Sequence, residues 1–271
     1  MSLTTNPSAN PAARDGAARS DAPPAGRPES STPAILELRD VHADIDQYHI
    51  LHGVDLVVPR GQLTVLLGRN GAGKSTTLRT IMGLTRITRG ELKFDGRELR
   101  GMSTPRIARQ GIAFVPEHMG IFSLLTVREN LLLAAIGGAP DPARLDWIFT
   151  LFPPLKRFWN QPAGTLSGGQ KQMLAISRAV IEPRELLLVD EPTKGLAPAI
   201  INDLADAFAQ LKAQQVSILL VEQNFHFSRR LGETVAVMSD GRIVHRGSMA
   251  ALAEDEALQH DLLGLGLGEH Q

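Results

Sequence analysis

One glycine-rich stretch has the residue types and spacing of a phosphate-binding loop. It runs through Gly68, Arg69, Asn70, Gly71, Ala72, Gly73, Lys74, Ser75 and Thr76. In such a loop the glycines let backbone N–H groups turn inward around a pyrophosphate, the lysine reaches the β- and γ-phosphates, and the serine hydroxyl is a ligand for Mg²⁺. An apolar run at 63–67 precedes the loop, and a helical pattern follows it up to Gly83. This strand, loop and helix order predicts a nucleotide-binding site rather than a chance glycine-rich turn.

Two adjacent acids, Asp190 and Glu191, follow the most apolar run of the chain, residues 186–189. The carboxyl end of a buried parallel strand is where an open sheet places its functional groups. Beside a phosphate-binding loop, Asp190 is predicted to hold Mg²⁺, directly or through water, and Glu191 to polarise the water that attacks a γ-phosphate. The alternative is that the two acids only cap the helix that follows.

The periodicity of apolar residues indicates which elements position these side chains. Strand patterns at 35–38 and 56–58 come first, and from about 117 to 182 the pattern is mainly helical, with capping boxes that begin at Thr126 and Ser167. Strands and helices then alternate, which favours a parallel sheet. Two Asp-Gly pairs predict hairpin turns, at Asp95–Gly96 and Asp240–Gly241.

Length and composition exclude several classes of protein. The chain has 271 residues, enough to bury a sizeable core, and its 28 Lys and Arg balance 29 Asp and Glu, so there is no basic excess to suggest a nucleic-acid partner. The absence of cysteine excludes disulfides, thiolate metal sites and thiol nucleophiles. No run approaches the roughly 18 apolar residues of a membrane span, so the chain is expected to be soluble or peripheral on a membrane through other proteins. Residues 1–33, rich in Ala, Pro, Ser and Gly, are predicted to be a disordered tail.

Together these patterns resemble the ATP-binding cassette (ABC) ATPases. Residues 68–76 match their Walker A element, 166–170 the signature and 186–193 the Walker B element, and the resemblance covers about 34–268. The signature distinguishes this family from other proteins with a phosphate loop, because GTPases and small-molecule kinases lack it. The resemblance implies that ATP and Mg²⁺ are bound, and that the fold is the α/β core of a phosphate-loop NTPase with a mostly parallel sheet. An N-terminal antiparallel β subdomain and an inserted α-helical subdomain, at about 117–182, belong to that fold.

The resemblance also implies that this chain supplies only half of each hydrolytic site. In the family, the signature contacts the γ-phosphate of the ATP that is bound to a partner cassette, using amide groups at a helix N-terminus. Ser167, Gly168, Gly169 and Gln170 are therefore expected to act in trans, in a head-to-tail dimer with a second ATPase subunit, identical or different. The same residues also form an ordinary capped helix start, and the two descriptions are compatible.

A closer resemblance is to the ATPase subunits of branched-chain amino acid importers. It is carried by residues 114–117, 190–198 and 220–224. Each stretch departs from the wider family: Glu117 replaces the usual Q-loop glutamine, Gln223 the switch histidine, and Pro198 the aspartate that usually follows Walker B. Glu117 and Gln223 are expected to be catalytic alongside Lys74 and Glu191. Gln223 can hydrogen-bond a γ-phosphate but cannot carry a proton at neutral pH, so His226 is an alternative for the switch role.

The residue that contacts adenine has two candidates. The family register places the usual stacking aromatic at Ile45, whereas the only tyrosine of the chain is Tyr48. Because a π-face on adenine is worth more than an aliphatic contact, Tyr48 is favoured.

The function that the resemblance implies is that of the ATP-hydrolysing subunit of an ABC importer. Its expected partners are two transmembrane permease subunits and, indirectly, a periplasmic or extracellular solute-binding protein, with the chain peripheral on the cytoplasmic face of the plasma membrane. Branched-chain amino acids are the favoured solutes, because urea-type relatives usually keep glutamine at the position of Glu117; urea and short amides stay open. The alternatives are an ATP-binding module that hydrolyses weakly alone and a soluble cassette of translation or repair. The single cassette and the balanced charge disfavour the second of these.

Overall fold

The computed structural model describes residues 32–264. Its strands are β1 Ala34–Ile45, β2 Tyr48–Pro59, β3 Leu63–Leu67, β4 Arg86–Phe94, β5 Arg97–Glu98, β6 Ile112–Val115, β7 Leu186–Asp190, β8 Ser217–Glu222, β9 Thr234–Ser239 and β10 Arg242–Ser248. Its α-helices are α1 Lys74–Ile81, α2 Thr104–Ala108, α3 Val127–Ala134, α4 Pro142–Leu151, α5 Pro153–Arg157, α6 Gly168–Val180, α7 Pro198–Ala213, α8 Phe225–Leu231, α9 Met249–Glu254 and α10 Glu256–Leu263. A short 3₁₀ helix spans Ala163–Thr165.

The strands form two sheets. In the larger, the order is β10-β9-β3-β8-β7-β6, in which every neighbouring pair is parallel except β10 with β9. Strands β3, β7 and β8 are buried along their whole length, which explains why their sequences are nearly continuous apolar runs. The smaller sheet is antiparallel, in the order β2-β1-β4-β5. The predicted α/β fold, with a mostly parallel sheet and an N-terminal antiparallel sheet, is confirmed.

Two hydrophobic cores cover the two faces of the larger sheet. Alternation along β3 shows the division: Val65 and Leu67 belong to the core that includes α3 to α9, whereas Leu66 belongs to the core shared with α1 and the antiparallel sheet. The phosphate-loop strand is therefore fixed from both sides, so that the loop at its carboxyl end has a rigid base.

Short-range sequence signals are found where they were predicted. The capping boxes at Thr126 and Ser167 are both complete, each with its hydroxyl accepting a backbone N–H and its N3 side chain returning a bond. Both Asp-Gly turns connect antiparallel strands, and their residues have positive φ as the tight hairpin turn requires: Asp95 (47°), Gly96 (73°), Asp240 (46°) and Gly241 (71°).

The helical part of the chain lies between β6 and β7. It contains α3 to α6, and its residues Leu131 and Leu174 belong to the same core as Val65 of β3. The boundary at about 117–182 stays a prediction, and so does the domain over 34–268. The predicted tail lies outside the described residues apart from residues 32–33. Among the helices between residues 32 and 264, none combines the length and the apolar character needed to cross a membrane.

The first hairpin is longer than its strand patterns indicate, and the described part of the chain ends in two short helices. The strand patterns at 35–38 and 56–58 are parts of β1 and β2, which are twelve residues each. Register shifts along this pair break the regular alternation that identifies a strand, and Asp40, at φ 49°, lies beside them. The helix that Ser248 begins ends at Glu254, and α10 follows it as a separate helix capped by Asp255. The short helices α2 and α5 were not predicted.

Candidate functional site

The loop between β3 and α1 depends on glycine for its shape. Gly68 and Gly73 have φ angles of 155° and 106°, and a Cβ atom on Gly68 would lie 2.4 Å from the carbonyl oxygen of Met238. Helix α1 begins at Lys74 with Gly73 as its N-cap, and no side chain caps it. The first-turn amides therefore present the partial positive charge of a helix N-terminus without a side-chain acceptor, as a phosphate site requires.

Lys74 lies across this loop and is only 4% exposed. Its Nζ donates hydrogen bonds to the carbonyl oxygens of Gly68 at 2.9 Å and Arg69 at 3.1 Å. The same nitrogen is 3.2 Å from Oε1 of Glu191, so two buried opposite charges neutralise each other. A γ-phosphate at this point would offer Lys74 the same kind of negatively charged oxygen.

Ser75 and Asp190 bring two oxygen ligands together from α1 and the end of β7. The Ser75 hydroxyl donates to Oδ1 of Asp190 at 3.0 Å. Burial, together with the negative charges of Glu191 and Glu117, raises the pKa of Asp190 to about 6 against the effects of this hydrogen bond and of Lys74. Between residues 32 and 264, no group of three or more His, Cys, Asp or Glu is arranged to hold a metal ion. One hydroxyl and one carboxylate fit Mg²⁺, which is usually held by one or two protein oxygens together with phosphates and water.

Glu191 is 8% exposed and is held in an unusual backbone conformation, with φ 45°. Its amide donates to the carbonyl oxygen of Val221 in the neighbouring strand at 2.9 Å. Burial acts to raise the pKa of Glu191, but the hydrogen bond from Gln223 and the positive charges of Lys74 and Lys194 outweigh it, so the pKa is lowered. Glu191 is therefore an ionised carboxylate that can accept a hydrogen bond, or a proton, from water.

Gln223 links the phosphate loop to the acid that follows β7. Its Nε2 donates to Oδ1 of Asn70 and to Oε1 of Glu191, each at 2.6 Å. His226 is exposed in the first turn of α8, and its side chain makes no hydrogen bond or ion pair in the described part of the chain. Of the two candidates for the switch role, the structure thus brings Gln223 to Glu191 and leaves His226 apart from it.

Glu222, which the sequence analysis missed, is a buried acid that ties two loops together. One carboxylate oxygen accepts hydrogen bonds from the amide (3.1 Å) and hydroxyl (2.8 Å) of Thr193, and the other accepts from the amides of Gln223 (3.0 Å) and Asn224 (3.1 Å). Burial raises the pKa of Glu222 in spite of these four bonds. Glu222 ends the apolar run 218–221 just as Asp190 ends the run 186–189. The same sequence pattern could therefore have identified Glu222.

Glu117 lies at the edge of the site and is partly exposed. Its Oε1 is 2.5 Å from Nζ of Lys194, a contact that the sequence analysis also missed. The two residues are far apart in the chain and neither belongs to a regular element, so no local pattern could reveal that they meet.

The signature residues form the start of α6. Ser167 and Gln170 exchange the two capping-box hydrogen bonds, from the Ser167 amide at 3.0 Å and the Gln170 amide at 3.3 Å. Ser167 and Gly168 are exposed, whereas Gly169 is buried against Ile200 of α7. In the part of the chain that the structure describes, no hydrogen bond links 167–170 to the loop 68–76.

Both adenine candidates lie on the hairpin beside the phosphate loop. Ile45 and Tyr48 are paired where β1 turns into β2, and Tyr48 is 63% exposed. Further along β2, Leu51 lies 3.2 Å from where a Cβ atom on Gly73 would stand, so the hairpin borders the loop. The preference for Tyr48 stays a prediction.

The chain is similar to known proteins over most of its length. The family model described as "ABC transporter" matches residues 51–194. The high-affinity branched-chain amino acid transport ATP-binding protein BraG of Pseudomonas aeruginosa is 41% identical over 232 residues, which cover 85% of this chain and 100% of BraG. The probable branched-chain amino acid transport ATP-binding protein LivF of Archaeoglobus fulgidus is 33% identical over 234 residues, 85% of this chain and 99% of LivF. The crystal structure of a nucleotide-free ATP-binding cassette from an ABC transporter has a TM-score of 0.74 at 23% identity, covering 86% of this chain and 100% of that one.

Proposed function

Since the chain belongs to the ABC transporter family of ATPases, we propose that it hydrolyses ATP to power an importer of branched-chain amino acids. The observation that carries the hydrolytic part is the position of Glu191, an ionised carboxylate buried between Lys74 and Gln223. The similarity to BraG along the whole of that protein supports the choice of solute.

Nucleotide binding rests on the loop 68–76. The amides of the loop and of the first turn of α1 surround the phosphates, and Lys74 exchanges the carboxylate of Glu191 for the β- and γ-phosphate oxygens. Ser75 and Asp190 are the ligands for Mg²⁺, which when bound offsets negative charge on the phosphates. The adenine contacts Tyr48 on the β1–β2 hairpin.

Hydrolysis rests on Glu191 and Gln223. When Lys74 turns to phosphate, Oε1 of Glu191 is free to accept a proton from the attacking water, and the lowered pKa keeps it ionised at neutral pH. Gln223 donates one Nε2 hydrogen to Glu191 and the other to Asn70, and we propose that it exchanges Asn70 for the γ-phosphate. Because Gln223 cannot carry a proton, its role is to orient the water and the base rather than to exchange protons.

Members of the family work as dimers with transmembrane permease subunits. For this chain we propose that Ser167, Gly168, Gly169 and Gln170 complete the site of a second ATPase subunit, with the N-terminus of α6 directed at its γ-phosphate. The remaining partners are two permease subunits and, through them, a periplasmic or extracellular solute-binding protein. The loop that begins at Glu117 faces the permeases, and the chain is peripheral on the cytoplasmic face of the membrane.

The test is solute-stimulated hydrolysis in the complete transporter. The chain is reconstituted in proteoliposomes with its second ATPase subunit, permeases and solute-binding protein, and phosphate release is measured with leucine, isoleucine, valine, urea or acetamide. We expect the three amino acids to stimulate release and the Lys74→Ala variant to abolish it. Stimulation by urea or acetamide alone would contradict the proposed solute, and a wild-type complex without ATP-dependent phosphate release would contradict the hydrolytic role.

A further inference from the structure

Lys194 contacts two carboxylates of the candidate site. It lies in the turn after β7, where its amide donates to the carbonyl oxygen of Glu191 at 3.3 Å. Its Nζ is 2.5 Å from Oε1 of Glu117 and 3.6 Å from Oε2 of Glu191. Lys194 therefore joins the residue proposed as the base to the loop proposed to face the permeases.

The sheet explains why these residues meet. Strands β6 and β7 are parallel neighbours, with Val115 opposite Val189, so their carboxyl ends lie at the same edge. Glu117 follows β6 by two residues and Glu191 follows β7 directly. A lysine in the turn after β7 can therefore span the two strand ends with one side chain.

The two oxygens of Glu191 have different partners. Oε1 accepts a hydrogen bond from Gln223 and is 3.2 Å from Nζ of Lys74. Oε2 is 3.6 Å from Nζ of Lys194. The proposed mechanism moves Lys74 from Oε1 to phosphate, so Lys194 is the cation that can stay with Glu191 throughout. The hydrogen bond to Glu117 and the charge of Glu117 raise the pKa of Lys194, so this side chain is cationic at neutral pH.

We infer that Lys194 is a positioning residue that orients the carboxylate of Glu191 and couples it to Glu117. The inference rests on the proposed function of Glu191 as the base. Movement of the loop at Glu117 then changes the orientation of Glu191 through the lysine, which gives the membrane-facing side of the chain a direct effect on hydrolysis.

A surface ion pair without consequence is the competing description. Lys194 is 57% exposed, and exposed ion pairs contribute little to stability. The inference therefore concerns the geometry of Glu191 and predicts an effect on turnover without an effect on folding. Measuring turnover and thermal stability together therefore distinguishes a positioning residue from a surface ion pair without consequence.

The first experiment compares steady-state phosphate release by wild type, Lys194→Met and Lys194→Arg. For Lys194→Met we expect kcat to fall by about threefold to tenfold and KM for ATP to stay within about twofold, because the loop 68–76 makes the phosphate contacts. Lys194→Arg keeps the charge and should retain at least half of kcat. The control is Lys93→Met, which breaks a surface pair with Glu91 at 2.7 Å on the antiparallel sheet and should leave kcat and KM unchanged.

The second experiment tests the coupling to Glu117. Glu117→Gln removes the partner of Lys194, so the double variant with Lys194→Met should be no slower than the slower single variant. Because the pair is exposed, added NaCl should lower kcat of wild type more than that of Lys194→Met. Thermal midpoints should be equal in all variants.

Three results would overturn the inference: an unchanged kcat in Lys194→Met, an equal loss in Lys194→Arg, or losses that multiply in the double variant. Glu191→Gln is measured in parallel. If Glu191→Gln is inactive while Lys194→Met is normal, only the inference about Lys194 fails. If Glu191→Gln hydrolyses ATP normally, the proposed function itself fails.

Discussion

Asp190 carries its charge in a place where the protein interior disfavours it. Burial raises its pKa from 3.8 to about 6. Because the folded protein then binds this proton more tightly than the unfolded chain does, the contribution of Asp190 to stability is greatest at low pH and is lost as the pH rises from about 4 to about 6. A residue that lowers stability at neutral pH and faces the phosphate loop is typical of a functional site.

Replacing this acid should stabilise the protein and weaken its binding of Mg²⁺. In Asp190→Asn an oxygen acceptor for Ser75 is kept and the buried charge is removed. Without nucleotide we expect a higher thermal midpoint than wild type at pH 8, by roughly 2–4 °C per kcal/mol recovered, and no difference near pH 4. The extra stabilisation that Mg²⁺ adds to ATP should disappear.

The measurement for Asp190→Asn is thermal denaturation at both pH values, with ATP alone and with Mg²⁺ and ATP. Asp203→Asn, an exposed acid on α7, is the control and should match wild type in every condition. A destabilised Asp190→Asn protein at pH 8, or one that keeps its full response to Mg²⁺, would show that the account of this residue is wrong.

Gln223 and His226 can be separated by their effects on turnover. Gln223 donates to Glu191 and Asn70, so we expect Gln223→Ala to lower kcat by about tenfold with little change in ATP affinity. His226→Ala should stay within about twofold of wild type, because that side chain is exposed on α8. Steady-state phosphate release checks both, and a larger loss in His226→Ala than in Gln223→Ala would return the switch role to the histidine.

At the scale of elements, the predictable features are the ones encoded within a few residues. The phosphate loop, the capping boxes at Thr126 and Ser167 and the Asp-Gly turns each depend on local backbone requirements, and all were identifiable from spacing. The contacts of Lys194 with Glu117 and of Glu222 with Thr193 depend on which strands are neighbours, and a single sequence does not contain that information. The full length of β1 and β2 was missed because irregular pairing breaks their alternation.

The start of α6 packs against α7 through a glycine. A Cβ atom on Gly169 would lie 2.6 Å from Cγ2 of Ile200, whereas one on Gly168 would lie 3.6 Å from a methyl group of Leu196. Gly169→Ala should therefore lower the free energy of unfolding by about 1–2 kcal/mol, as overpacking does, because Ile is β-branched and yields little. Gly168→Ala is the matched control and should be neutral or slightly stabilising, since alanine favours a helix.

Denaturant unfolding of the two glycine variants measures this difference. Equal stability in Gly169→Ala and Gly168→Ala would mean that α6 and α7 are not packed as closely as the structure has them. Their order in stability is informative even if both variants lose hydrolysis, because both positions lie in the signature.

At the scale of the whole molecule, we propose that one chain supplies two half-sites, and in residues 32–264 no hydrogen bond links them. Lys74 and Glu191 would form one half, and the start of α6, where Ser167 and Gly168 are exposed, would form the other. If two copies of this chain pair head to tail, a defect in one half can be complemented by a partner defective in the other half.

Mixing Lys74→Ala with Ser167→Arg tests this arrangement. Each variant alone should be inactive, because every site in its dimer carries a defect. In an equal mixture, half of the dimers are mixed and each contains one intact site of two, so phosphate release should return to about a quarter of the wild-type rate. No recovery, in a mixture shown by cross-linking to contain mixed dimers, would contradict a site completed in trans.

The central claim is that Glu191 is the base of an ATP hydrolase, and single-turnover phosphate release by Glu191→Gln tests it most directly. The amide keeps the shape and the contact with Gln223 but cannot accept a proton, so we predict a rate lowered by at least about a hundredfold with ATP affinity equal to or higher than that of wild type. A Glu191→Gln variant that binds ATP normally and hydrolyses it within about threefold of the wild-type rate would contradict the account.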